Sequence, residues 1–87
     1  MELEFRGWGF IAHLNQDAGC WAAASRPELE KLLEAIPEPW RTFVKGAIAF
    51  HKWIFNQRMG TEGLDLHFNW FGFCHWVGPR GGLQPCW

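Results

Sequence analysis

Four histidines and three cysteines are the side chains of this sequence best suited to chemistry, and two of the histidines and one of the cysteines gather in one stretch. Residues 67–76 read HFNWFGFCHW, placing His67, Asn69, Cys74 and His75 among five aromatic rings. Any of the four histidines and three cysteines could ligate a metal, and His67, Cys74, His75 and Cys86 are the candidates a site would draw on. Structural zinc sites usually draw two ligands from a C-x₂₋₄-C or H-x₃₋₅-H unit, and neither spacing occurs. Adjacent residues such as Cys74 and His75 point to opposite faces of a strand. The reading is therefore no metal and no other cofactor, with cysteines serving as small buried hydrophobes.

A cysteine nucleophile is the second chemistry to weigh. The segment NQDAGCWA, residues 15–22, resembles the Gln…Cys-Trp-Ala stretch of papain-like peptidases. The resemblance implies that Gln16 donates to an oxyanion and that Cys20 attacks from a helix N-terminus, which lowers a thiol pKa. His67 would act as base, with Asn69 orienting it. The resemblance covers eight of 87 residues. Its Gln-to-Cys spacing is shorter than the family's, and the chain is less than half the usual size of that fold. A non-catalytic protein is the better reading, with Cys20, His67 and Asn69 as the residues an enzyme would use.

Composition limits the rest. Seven Trp and eight Phe, with no Tyr, stand in a chain of 87 residues. A domain this short buries only about 60–65% of its unfolded surface, so large rings compensate, each removing roughly 150–250 Å² from water. Fifteen rings exceed one small core, and the surplus points to exposed anchors for a partner. The net charge of −1 disfavours a nucleic-acid binder held by phosphate contacts. No apolar run approaches the roughly 20 residues of a membrane span, and the N-terminus MELEFRGWGF lacks the features of a secretory signal. Three cysteines without framework spacing fit free thiols in a reducing cytoplasm; a Cys20–Cys86 or Cys74–Cys86 bridge is an alternative that the spacing does not support.

The elements that must position these residues follow from periodicity. Residues 2–14 alternate as a strand region, with a phase slip at Gly7-Trp8-Gly9 that suggests a bulge or sharp bend. Residues 15–19 have turn chemistry, and 20–24 fit either a return strand or a short helix capped by Asp17. Ser25-Arg26-Pro27-Glu28 reads as a capping box opening a helix over 26–36, with Leu29, Leu32, Leu33 and Ile36 on one face and Glu28, Glu30 and Glu34 outside. A second helix spans 39–59, with Gly60 as its C-cap. Its apolar arc includes Phe43, Val44, Phe50, Ile54 and Phe55, and places His51 as a hydrogen-bonded core histidine. A strand region over 64–77 bends at Gly72, and residues 78–87 form an irregular tail. The expected fold is a single α+β domain, a small bent antiparallel sheet from the chain ends with two central helices packed on one face.

One surface remains. Arg41, Lys45 and Lys52 form a basic stripe on the second helix, and Trp53 falls beside it on the polar side. An exposed Trp among cations suits a docking surface for a protein partner or a second copy of the chain. The expected function is a small cytoplasmic, non-catalytic protein-binding module. It would be an inhibitor or adaptor that occupies a partner's surface, as phage-type inhibitors of bacterial enzymes do. The alternatives are a single-stranded nucleic-acid binder that stacks bases on the sheet aromatics and a thiol enzyme using Cys20.

Overall fold

Alternation between core-facing and outward residues builds two hairpins, and three helices join them. The computed structural model describes all residues, Met1–Trp87. Strands β1 (Glu2–Arg6) and β2 (Gly9–Leu14) lead into helices α1 (Gln16–Ala23), α2 (Glu28–Glu34) and α3 (Trp40–Arg58), followed by β3 (Gly63–Asn69) and β4 (Cys74–Arg80). The sheet is antiparallel, in the order β1-β2-β3-β4. The α+β class and the sheet formed by the chain ends agree with the sequence.

Register explains which side chains meet. Phe10 pairs with Phe68, Ala12 with Leu66 and Leu14 with Leu64, and all six are buried on the face the helices cover. The Phe10 and Phe68 rings stack at 4.6 Å. Ala18, Leu33, Val44 and Phe55 from the helices, and Met59 just after α3, are among the others in a core of 17 buried residues. Burial of each large apolar side chain contributes about 1.5–3 kcal/mol, so the central β2–β3 pair and α3 carry much of the stability. No helix is long and apolar enough to cross a membrane.

The local details depart from expectation in physically instructive ways. The phase slips at Gly7 and Gly72 are not bends within continuous strands but the turns of two hairpins. Each "strand region" is therefore a pair of strands, and β4 takes residues 78–80 from the expected irregular tail. At Gly72 the backbone has φ +89°, and a Cβ there would lie 2.5 Å from the Phe43 ring. Only glycine meets both demands.

Residues 20–24 belong largely to α1, a third helix, which is capped by Asn15 rather than Asp17: the Asn15 side chain accepts from the Ala18 N–H at 2.8 Å. The capping box is not formed. Ser25 adopts φ 56°, and α2 has no side-chain cap. Ser25 closes α1 instead. Its N–H donates to the Ala22 carbonyl and the Arg26 N–H to the Trp21 carbonyl, the two bonds of a Schellman termination. Gly60 is likewise no left-handed cap. It lies in a backbone bridge to Gly63 and Leu83, where a Cβ would strike the Arg80 carbonyl.

Candidate functional site

The cysteines decide the nucleophile question first. Cys20 and Cys86 form a disulfide with a Cα–Cα separation of 5.7 Å. This overturns the expectation of free thiols at these positions, since a bonded sulfur is no nucleophile while the bridge stands. It also removes Cys86 from the metal candidates. Cys74 is the one free cysteine, and burial pushes its thiol pKa up, away from the reactive range.

Three of the four histidines, His13, His67 and His75, lie on the sheet face opposite the helices. The β3–β4 ladder shifts register between His67 and Phe68: Phe68 pairs with Cys74, and His67 with Trp76. His75 is the extra residue of this bulge. The His67 and His75 rings come within 6.3 Å of each other, and Trp8 stacks on His67 at 5.6 Å. Burial pulls the His67 pKa down. Cys74 borders α3 instead, so the structure unites His67 and His75 but not the four candidate ligands. No group of three or more His, Cys, Asp or Glu is placed to hold a metal ion.

His13, on the same open face, was not singled out by sequence. Its Nδ1 lies 2.6 Å from Asp65 and its Nε2 2.9 Å from Glu4. Two carboxylates on two ring nitrogens require both nitrogens to donate, which only imidazolium does. Burial opposes the charge, but the Asp65 and Glu4 hydrogen bonds prevail and raise the pKa.

Asn69 serves the hairpin rather than a base. Its Oδ1 accepts the N–H groups of Phe71 and Phe73 at 3.0 and 3.1 Å. The Trp70 indole donates to the Gly7 carbonyl at 2.9 Å, tying the two hairpin turns together. The turn is thus held rigidly while its rings point outward.

The basic stripe is largely engaged within the chain. Arg41 donates to the carbonyls of Ile36 and Glu34 at 2.9 and 3.2 Å, closing the end of α2. Lys45 sits 3.7 Å from Glu30, and Lys52 donates to Ser25 at 2.7 Å. These lysines line a cleft of about 400 Å³ between α2 and α3. Trp53 faces elsewhere, so the four residues do not form one surface.

Trp53 belongs to a larger groove, about 650 Å³, between α3 and the β3–β4 turn. Phe50, Trp53, Phe71 and Phe73 line it and are 71–82% exposed. His51 also lines it, half-buried and without a hydrogen bond inside the chain, not the bonded core histidine expected. No Asp, Glu, Lys or Arg is among the eleven lining residues. Gly46 lies in the groove wall at mid-helix, where glycine costs about 1 kcal/mol relative to alanine. A Cβ there would meet nothing within 4 Å, so packing inside the chain does not account for it. Sequence reasoning found Trp53 but assigned Phe50 to the core; the signal for the rest was the surplus of rings.

Comparison with protein-family models, with curated proteins and with solved structures yields no match to this chain.

Proposed function

We propose that this protein is a small non-catalytic protein-binding module whose working surface is the aromatic groove between α3 and the β3–β4 turn. The observation that carries this is the exposure of four large rings around one uncharged groove. At 150–250 Å² per ring they present roughly 450–750 Å² of apolar surface, from the upper half of the roughly 300–600 Å² of a typical monomer's largest patch to beyond it. An inhibitor or adaptor that occupies a protein surface works through such anchors. The basic stripe drops from the proposed surface, leaving Trp53 as its contribution. The Cys20–Cys86 bridge suits an oxidising compartment better than the reducing cytoplasm, and we place the protein's working environment there.

Single-stranded nucleic acid fits less well. Trp8 and Trp76 lie on the open sheet face, where the cations Arg6, His13 and Arg80 are engaged by Glu4 and Asp65 rather than free to hold phosphates.

Capture of host proteins by immobilised wild type, Trp53→Ala and Lys45→Glu tests the groove. Trp53→Ala is expected to lose the captured proteins, copies of this chain included, and Lys45→Glu to retain them. Identical recovery by wild type and Trp53→Ala would remove the reading.

A further inference from the structure

We propose that the occupant of the aromatic groove is a second copy of this chain, docked groove to groove about a twofold axis. The β3–β4 turn of each copy would lie on α3 of the other, with Phe71 and Phe73 against Phe50 and Trp53 beside Gly46. This rests on the docking role proposed for the groove and names its partner.

Three observations converge on a copy rather than a different molecule. The first is charge. A twofold interface sets the same patch against itself, so any charge near the axis meets its like. The groove has none among its lining residues, although the chain carries 17 charged side chains. Nucleic acid or an anionic lipid surface would find no cation there to attract it. The second is area. Two sets of four exposed rings bury roughly 900–1,500 Å² from the rings alone, which reaches the approximately 1,200–2,000 Å² of a specific interface. The third is shape. The turn holds Phe71 and Phe73 outward and is fixed by Asn69 and by the Trp70–Gly7 hydrogen bond. Gly46 leaves the adjacent stretch of α3 flat where a ring must approach the backbone. One surface thus holds both the outward rings of the turn and open space over Gly46.

Sedimentation velocity over a range of concentrations tests the proposal with wild type, Trp53→Ala, Gly46→Ala and Lys45→Glu, each checked for cooperative unfolding. Wild type and Lys45→Glu are expected to dimerise alike. Trp53→Ala is expected to weaken the dimer at least about tenfold, as loss of a buried aromatic anchor does. Gly46→Ala separates docking from folding, because alanine favours the helix while its methyl group obstructs the partner's ring. It is expected to weaken the dimer without loosening the fold. A wild type that stays monomeric, or a dimer indifferent to both groove variants, overturns the proposal. If monomeric wild type still captures another protein through Trp53, the groove's docking role stands and the second copy falls. If it instead sediments with phosphatidylcholine vesicles through Trp53, the occupant is lipid and both readings fall.

Discussion

His13 shows how much a single side chain can carry on a sheet face with no helix over it. It bridges β1 and β3 by holding Glu4 with one nitrogen and Asp65 with the other, and Arg80 adds a 3.5 Å contact to Asp65. Because the folded pKa is raised above the unfolded one, the stabilisation is full below the unfolded value and is lost as pH rises through the folded value. His67 nearby acts in the opposite sense. Its folded pKa is lowered by burial, so its neutral form is favoured and acidification destabilises through it. The comparison of wild type with His13→Gln in urea isolates the first effect. The stability gap between them should be widest near the acid end of a titration spanning neutrality and should narrow as pH rises. A gap that is flat or widens with pH would show that His13 is not held as imidazolium.

At the scale of elements, the end of α1 is the informative junction. Ser25 sits in the left-handed region at φ 56°, a conformation costing about 1–2 kcal/mol for a residue with a Cβ. Glycine removes that cost, so Ser25→Gly should stabilise the fold by about 1 kcal/mol in chemical denaturation, less what the Lys52 hydrogen bond contributes. Destabilisation would mean that the bond to Lys52 outweighs the strain. The same junction explains why the sequence misled here: Ser-x-x-Glu before a leucine run has the pattern of a helix start, yet its serine was already committed to ending the helix before it. The helical period of α2 and α3 and the alternation of the strands were legible because each follows from a repeating contact with one core. The hairpin turns were not, because a glycine at a phase slip marks a bend and a reversal equally well. The groove was legible only as an excess of rings. Phe50 and Phe43 lie on one arc of α3, and which of them the sheet covers depends on where the β3–β4 turn lands, information absent from the helix itself.

For the whole molecule, the Cys20–Cys86 bridge matters more than its place at the periphery suggests. It joins residues 66 apart in sequence, and closing a loop of that size restricts the unfolded chain by about 4 kcal/mol in the chain-entropy account. That is a large share of the roughly 5–15 kcal/mol that holds a domain together. Replacing both cysteines by serine should lower the unfolding free energy by about 2–5 kcal/mol, read from urea denaturation. A double variant as stable as wild type would show that the core alone suffices. The tail this bridge secures is also held from the helix side, where Asn56 accepts the N–H of Cys86 at 2.6 Å. The same covalent closure bears on how the protein comes apart. The bond encloses all four connections that lie beyond α1, so a peptidase that cuts the backbone once anywhere between Cys20 and Cys86 releases nothing. The nicked chain stays one molecule of unchanged composition, apart from the added water, until a reductant reaches the sulfurs.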